Sequence, residues 1–318
     1  MRILITGGNG FVGRTLVRAL RAHHTVHVVD SLHLGPRRFQ DAEAKTFTFH
    51  QADIRDPQAV AQIMTAVHPD AVVHLAAIHF IPACESDPAL AVDTNVQGTV
   101  SVIAACPAGC RFVFASSAAV YRPSHVPLVE DSSPVGPVDV YGLTKLHAED
   151  YVRHLTGLRG LSTVIVRLFN VIGPGETNPH VLPAIVAQLK VGRSVLRLGN
   201  MTAQRDFIHV ADAAAGFAAA ATAGDVPRGE SVTVNLGTGA AHSITDVVQS
   251  LSRIAARDVR VELDESRLRA SDNPVLLCDN TRMRRRFGWQ PTYDLDAALR
   301  DLWRDPDLPD SLIERYAR

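Results

Sequence analysis

Across residues 1–168, short apolar runs alternate with longer segments of helical periodicity, and this alternation restricts the fold more than any other feature of the 318-residue chain. Several runs are apolar at nearly every position, as expected of parallel strands that helices cover on both faces. The alternation therefore predicts an α/β protein with a doubly wound parallel sheet. The predicted strands span residues 3–6, 25–30, 46–50, 71–75, 111–115 and 163–167, and the predicted helices span 12–21, 57–67, 88–105 and 141–156.

The pattern changes after about residue 168, where glycine, proline and asparagine cluster in NVIGPGETNPHVLP and the elements become shorter. We predict a doubly wound first domain over residues 1–168 and a smaller, mixed α/β second domain over residues 169–318. The run VTVNLGT at 232–238 is strand-like. A segment near residues 208–240 is therefore expected to return to the sheet of the first domain.

Composition and charge exclude several classes of protein. Apolar residues make up 46% of the chain and charged residues 20%, which is typical of a globular enzyme. Because the net charge is −1, no strong field would attract nucleic acid or an anionic membrane. The four cysteines form no CxxC pair and no zinc-ligand spacing, which indicates a reduced protein without a metal. No apolar run could span a bilayer or act as a signal peptide, so we expect a cytoplasmic protein with neither membrane nor nucleic acid as partner.

Residues 3–13, ILITGGNGFVG, place a glycine-rich turn between the first predicted strand and the first predicted helix. Gly7, Gly10 and Gly13 have the spacing G-x-x-G-x-x-G. Without side chains, backbone amides at the start of a helix can approach a pyrophosphate, whose charge the helix dipole favours. Asp30 ends the second predicted strand, where a carboxylate can accept both ribose hydroxyls of NAD and would repel the 2′-phosphate of NADP. Together they predict NAD as the cofactor.

The sequence YGLTK at 141–145 places Tyr141 and Lys145 one turn apart on one helical face. A free phenol has a pKa of about 10 and is a weak base at neutral pH. A nearby ammonium and the positive nicotinamide ring of NAD would lower the pKa of Tyr141, which could then remove a proton from a substrate hydroxyl. Ser116 and Ser117 follow the fifth predicted strand, where a hydroxyl would face the ligand crevice and share a hydrogen bond with the reacting oxygen.

Taken together, TGGNGFVG, Asp30, SSAAVY and YGLTK resemble the motifs of the extended short-chain dehydrogenase/reductase family, the nucleotide-sugar epimerases and dehydratases. The resemblance covers essentially the whole chain. It implies an NAD-binding Rossmann domain over residues 1–168 and a nucleotide-sugar-binding domain over residues 169–318. Further matching segments are HLAA (74–77), TNVQGT (94–99), RLFNVIGPG (167–175), QRDFIHVAD (204–212) and RASDNPVLLCDNTRMRRRFGWQP (269–291).

The resemblance implies a role for each residue that matches a family motif. Ser117, Tyr141 and Lys145 would be catalytic, with Ser117 preferred to Ser116 because it lies four places before Tyr121. His79 would either contact NAD or be an ordinary loop residue. Among the implied cofactor-binding residues, Gly7, Gly10, Phe11 and Val12 would line the pyrophosphate, Asp30 would bind the ribose hydroxyls, and Asp53 and Ile54 would flank adenine. The others are Leu75, Ala76 and Ala77 on the adenosine ribose side, Phe169 near the nicotinamide, and Gly13, Ser31, His79, Asn95, Tyr141 and Lys145. The implied substrate-binding residues are Ser117, Asn170, Val181, Leu182, Arg205 and Arg269, of which Asn170 and the two arginines would hold the diphosphate.

The residues after the catalytic serine discriminate between the reactions of this family. Its 4,6-dehydratases carry an acidic residue there, which expels the C6 hydroxyl as water, whereas this chain has Ala118 and Ala119. Elimination is therefore disfavoured. We predict epimerisation of a nucleotide-diphosphate hexose at C4, through a transient 4-keto sugar, with retained NAD and Tyr141 as base. Arg122, where the family usually has glycine, leaves the identity of the sugar open.

Other activities stay open as alternatives. Two segments are more similar to GDP-mannose dehydratases and related 4-keto reductases than to UDP-galactose 4-epimerases: LGNMTAQRD and RASDNPVLLCDN. A GDP-sugar enzyme or an NDP-4-keto-sugar reductase is therefore an alternative. A 4,6-dehydratase is less favoured, as is a dinucleotide sensor, which would need no Ser–Tyr–Lys set. In this family the helices corresponding to 88–105 and 141–156 pair in a four-helix interface, so a homodimer is expected.

Overall fold

The computed structural model describes residues 1–176, 180–267, 273–305, 308 and 313–314. The strands, in chain order, are β1 (Arg2–Thr6), β2 (Thr25–Asp30), β3 (Thr48–Gln51), β4 (Ala71–His74), β5 (Arg111–Ser117), β6 (Ser162–Leu168), β7 (Asn170–Ile172), β8 (Val195–Leu198), β9 (Gln204–His209), β10 (Ser231–Leu236), β11 (Ala241–Ser243), β12 (Arg260–Leu263) and β13 (Val275–Leu276). The helices are α1 (Phe11–Leu20), α2 (Asp41–Ala44), α3 (Pro57–Val67), α4 (Ile81–Ser86), α5 (Pro88–Val92), α6 (Gly98–Ala105), α7 (Val140–Arg159), α8 (Val181–Lys190), α9 (Val210–Thr222), α10 (Ile244–Ala255), α11 (Thr281–Phe287) and α12 (Leu295–Arg304).

Seven strands form one parallel sheet in the order β10-β6-β5-β4-β1-β2-β3. The strand order reverses between β1 and β4, which opens a crevice at the carboxyl ends of the strands, where ligands of such sheets bind. Strand β10 overlaps the run 232–238 and pairs with β6, Ser231 opposite Thr163 and Leu236 opposite Leu168. The predicted α/β class and doubly wound sheet are confirmed.

Helices cover both faces of the sheet and bury its apolar residues. Leu16 of α1 and Phe217 of α9 belong to the core on one face, and Met64 of α3 and Ile103 of α6 to the core on the other. A third apolar core joins α8, α10 and α12 to β8 and β9. The predicted second domain would need a core of its own, which this cluster could supply, but the division of the chain at residue 169 stays a prediction.

The segment 88–105, predicted as one helix, is divided into α5, a π-helical turn at Asp93–Gln97, and α6. The side chain of Asn95 in this turn accepts the N–H of Ile78 at 2.8 Å and donates to the Ile78 carbonyl at 2.9 Å. A π-turn inserts one residue into a helix and is rare, so apolar periodicity alone favours the uninterrupted helix.

Candidate active site

The glycine loop connects β1 to α1 through a turn in which Gly7 and Gly13 have no room for a side chain. Gly7 has a φ of +70°, and a Cβ atom there would lie 2.7 Å from the amide nitrogen of Ala76. A Cβ atom at Gly13 would lie 2.3 Å from the Gly7 carbonyl oxygen. Helix α1 begins after Gly10, so its first N–H groups have no capping side chain at that position. Uncapped N–H groups at a helix start form a binding site for a pyrophosphate.

The Asp30 carboxylate is held in place at the end of β2. It accepts the backbone N–H of Asn9 and that of Leu32, both at 3.0 Å. A carboxylate offers about four acceptor positions, so these two bonds orient it and leave acceptor capacity for ribose hydroxyls. The glycine loop and Asp30 therefore fit a dinucleotide such as NAD.

An open cleft of about 290 Å³ lies where β2 and β3 end, the position expected for the adenosine half of a dinucleotide. Ile54, a predicted cofactor residue, does not contribute its side chain to the cleft, because it is 5% exposed and packs against Gly98. His33, Gln51 and Ala52 were not predicted from the sequence, although their position at the ends of two parallel strands is the expected signal. The lining residues are Ser31, His33, Gln51, Ala52 and Asp53.

The loop after β4 lies directly against the glycine loop. Leu75, Ala76 and Ala77 are half-buried in it, as a cofactor-lining segment should be. Asn95 is fully buried, and besides Ile78 its amide donates to the Thr144 hydroxyl at 3.0 Å. Asn95 therefore connects this loop to α7, and its predicted direct contact with the cofactor is not supported.

Ser117 and Tyr141 are brought together by a close approach of two backbone segments. Ser117 ends β5, and a 3₁₀ turn over the next three residues follows. A Cβ atom at Gly142 would lie 2.5 Å from the Ala119 carbonyl oxygen of that turn. Only glycine allows the first turn of α7 to pack so closely, so the glycine of YGLTK has a structural function that was not predicted from the sequence.

Helix α7 fixes Lys145 against the end of β5. The helix begins where Asp139 accepts the N–H of Gly142 at 2.7 Å, an N-cap. One turn later, Lys145 is 2% exposed and donates its ammonium to the Ala115 carbonyl at 2.8 Å. The ammonium lies 6.0 Å from the centroid of the Tyr141 ring.

Burial controls the protonation of both residues. It raises the pKa of Tyr141 to about 12, although a hydrogen bond with Ser117 acts in the opposite direction. Burial also lowers the pKa of Lys145 to about 8, although Cys84 and Glu149 act in the opposite direction. The expected lowering of the pKa of Tyr141 is therefore not achieved by the protein groups, because the ammonium is directed at Ala115 rather than at the phenol.

Ser116 and Ser117 occupy different environments. Ser116 is 2% exposed and donates to the Glu149 carboxylate at 2.5 Å, which also forms a buried ion pair with Arg167 at 2.8 Å. Ser117 is half-buried, and its hydroxyl accepts the N–H of Ala119 at 3.1 Å. Because Ser116 is committed to the buried carboxylate, the structure supports Ser117 as the residue that faces a substrate.

Three predicted substrate-binding residues and Phe169, predicted near the nicotinamide, differ in exposure. Asn170, at the start of β7, is exposed, and Val181, at the start of α8, is 40% exposed. Phe169 is 4% exposed and belongs to the same apolar cluster as Ala118, the first residue of the 3₁₀ turn after Ser117. Leu182 is 2% exposed and belongs to the core beside α10 and α12, so contact of its side chain with substrate is not supported.

Of the two arginines predicted to bind the diphosphate, the structure describes only Arg205. Arg205 is half-buried on β9 and donates to the carbonyl oxygens of Gln204 at 2.8 Å and Asn273 at 2.7 Å. These bonds hold its guanidinium close to the chain around residue 273. Arg269 lies outside the described residues.

A crevice fitted for a dinucleotide at the switch point of a doubly wound sheet, next to a serine, a tyrosine and a lysine, defines the class of extended short-chain dehydrogenases/reductases. The sequence profile of the NAD dependent epimerase/dehydratase family matches residues 3–237. The chain belongs to this family, and its cofactor is NAD. The family and the cofactor predicted from the sequence are thereby confirmed.

Named relatives and solved structures are similar over nearly the whole chain. The UDP-glucose 4-epimerase of Rhizobium meliloti (strain 1021) is 32% identical, over 95% of this chain and 95% of that protein. The crystal structure of the Stenotrophomonas maltophila UDP-glucose-4-epimerase with bound NAD and formylated UDP-arabinopyranose has a TM-score of 0.83 at 26% identity, covering 95% of this chain and 97% of that chain. The Thermus thermophilus UDP-glucose 4-epimerase in complex with NAD has a TM-score of 0.81 at 27% identity, with 95% and 98% covered.

Proposed function

We propose that this protein is an isomerase that interconverts the C4 epimers of a UDP-hexose, such as UDP-glucose, and retains NAD. The observation that carries the proposal is that the close packing of Gly142 against Ala119 brings Ser117 and Tyr141 together, while Ser117 is followed by two alanines. The pair can move a proton to and from one sugar hydroxyl, whereas Ala118 and Ala119 have no group that could protonate a leaving hydroxyl. The relatives named UDP-glucose 4-epimerases support UDP rather than GDP and do not favour a reductase, dehydratase or sensor.

Each side chain of the site has a separate role in the proposed reaction. Bound NAD supplies reversible acceptance of a hydride from the sugar carbon. Because burial raises the pKa of Tyr141, the positive nicotinamide ring of bound NAD would have to favour the phenolate. The Tyr141 phenolate then takes the proton of the C4 hydroxyl, and the Ser117 hydroxyl donates a hydrogen bond to the same sugar oxygen. After the 4-keto sugar has turned its other face towards the cofactor, Tyr141 returns the proton to that oxygen. Lys145 fixes α7 and binds the nicotinamide ribose.

The remaining site residues bind the two nucleotides in this proposal. The first domain, residues 1–168, binds NAD through its glycine loop, Asp30, the adenosine cleft and the loop after β4. The second domain, residues 169–318, binds the UDP-sugar. There Asn170, Arg205 and Arg269 hold the diphosphate, since guanidinium groups bind such oxygens in pairs.

Purified protein should convert UDP-glucose to UDP-galactose without added cofactor, a conversion that proton NMR follows directly. Tyr141→Phe should retain NAD and lose turnover by about two orders of magnitude or more, the scale of a lost acid/base group. Tyr151→Phe is the matched control: Tyr151 is 51% exposed on the same helix, and because the substitution removes only a hydroxyl group outside the active site, it should keep full activity. Near-normal turnover of Tyr141→Phe, or a requirement for stoichiometric NADH, would contradict the proposal.

We also propose a homodimer that pairs through α7. Leu143, Tyr151 and Leu158 are 43%, 51% and 70% exposed, and their spacing of about two turns places them on one helical face. Leu158→Glu should convert the dimer to a monomer in light scattering after size exclusion. Leu263→Glu, with an equally apolar and 62% exposed side chain on β12, should remain dimeric. A monomeric wild-type protein would refute the interface.

A cytoplasmic location completes the proposal. All four cysteines are buried thiols, as expected in a reducing compartment. Among the described residues, no helix combines the length and the apolar character needed to cross a membrane. Fractionation of cells that express the protein would test the location directly.

A further inference from the structure

Three side chains with metal-binding atoms meet where two loops border the crevice. His79 lies in the loop after β4, Glu176 in the segment between β7 and α8, and His180 at the N-cap of α8. A ring nitrogen of each histidine and a carboxylate oxygen of Glu176 all lie within 4.8 Å of one another. No metal was expected from the sequence, because His79 joins the other two only through the fold and no local spacing identifies it.

The donor set matches a known kind of metal site. Two imidazoles and one carboxylate bind zinc in catalytic sites that leave a fourth position open, and related divalent transition metals use the same donors. Zinc–ligand distances of about 2.0–2.2 Å place tetrahedral ligand atoms about 3.4 Å apart. The widest separation, at most 4.8 Å, would therefore have to close by no more than about 1.4 Å. Rotation of the imidazole rings about their broad outer torsion can supply such a movement.

The surroundings orient these groups towards one another. Glu176 is 6% exposed, and a buried carboxylate is stabilised by a cation. The His180 ring packs edge-on against Phe80, with 5.5 Å between the ring centroids, and lies 6.0 Å from the His79 ring. Although His180 occupies the N-cap of α8, its side chain forms no capping hydrogen bond, so the imidazole is not needed to start the helix.

We propose that His79, Glu176 and His180 bind one divalent transition-metal ion of the zinc class. The ion ties the loop after β4 to the N-terminus of α8, and these two segments border the crevice from the cofactor side and the sugar side. His79 then serves as a metal ligand rather than as a direct contact to NAD. The fourth coordination position faces water or a ligand oxygen.

Zinc binding to the full-length holoenzyme tests this proposal without any need for turnover. After dialysis against EDTA, the protein is titrated with zinc chloride, and bound zinc is counted by elemental mass spectrometry after desalting. We expect one saturable ion per chain. Because loss of a residue that only supports a ligand already weakens metal sites by about 10–100-fold, loss of a ligand itself in His180→Gln or Glu176→Gln should weaken binding at least tenfold.

Two controls separate this site from general affinity of histidines for zinc. His23→Gln removes an exposed histidine near the end of α1 and should bind zinc as the wild type does. Magnesium chloride should not compete, because magnesium prefers oxygen ligands. Cobalt(II) bound to the wild type should show the visible absorption of a low-coordinate site, and His180→Gln should lack it.

The thermal midpoint of unfolding gives a second readout. Zinc should raise the midpoint of the wild type with increasing concentration, and the same rise in His180→Gln should need at least tenfold more zinc, because only the folded site binds the ion. Wild-type protein without saturable zinc binding overturns the proposal. Binding that survives both substitutions overturns it as well. Failure of either kind leaves the epimerase proposal intact, because neither readout depends on the sugar.

Discussion

Substitution of Gly7 by alanine tests whether the close backbone contacts of the glycine loop require glycine at this position. The alanine would have to adopt the φ of +70° that Gly7 has. Its Cβ atom would lie 2.7 Å from the amide nitrogen of Ala76, a backbone atom that cannot rotate away. The left-handed conformation costs a non-glycine residue about 1–2 kcal/mol. Inserting a methyl group into packed structure costs about 1–3 kcal/mol more. We therefore expect the free energy of unfolding to fall by about 2–5 kcal/mol, with loss of bound NAD as the loop shifts.

Gly229→Ala is the matched control for this substitution. Gly229 has a φ of +80°, and among the described residues no atom lies within 4 Å of a Cβ built there, so only the conformational cost of about 1–2 kcal/mol applies. Urea unfolding followed by circular dichroism, at two concentrations of NAD, separates backbone strain from lost cofactor binding. The NAD content is measured after denaturation. Equal destabilisation of the two variants, with normal NAD content in Gly7→Ala, would refute the steric argument.

Two further predictions concern buried charges. Glu149→Ala should lower the free energy of unfolding, measured by urea titration, by about 3–5 kcal/mol, because Arg167, with a side chain 4% exposed, would lose its charge partner. The control Asp150→Ala removes a side chain that is 69% exposed and should change the free energy of unfolding by less than about 1 kcal/mol. Burial lowers the pKa of Lys145 from 10.5 to about 8, so between these pH values the unfolded chain binds more protons than the folded protein. The stability of the wild type relative to Lys145→Met should therefore rise by up to about 3 kcal/mol across that range, and a constant difference in paired unfolding curves would contradict this.

Some elements could be predicted because their signal is local. Strand β4 is buried at all four positions. A strand that is covered by helices on both faces must be apolar along its length, so an apolar run within an α/β pattern predicts it. The glycine loop and the pair Tyr141 and Lys145 are set by spacings of three or four residues within one turn or helix. Such spacings decide which groups share a face before any tertiary contact forms.

Other features depend on contacts between distant segments and had no signal in the sequence. The π-turn carries Asn95, whose side chain bonds the backbone of Ile78, and Leu182 is buried in a core that three separate helices build. Spacing from Tyr121 favoured Ser117 over Ser116, but the physical reason is the bond of Ser116 to Glu149.

By itself, the sequence determined the doubly wound sheet and predicted the glycine loop and the serine, tyrosine and lysine of the candidate site, because periodicity and short spacings are properties of the chain alone. Only the tertiary structure decided how closely α7 approaches the end of β5, where the Lys145 ammonium is directed, and that His79 meets Glu176 and His180. These outcomes depend on how segments far apart in the chain pack against one another, and no local pattern of residues records that packing.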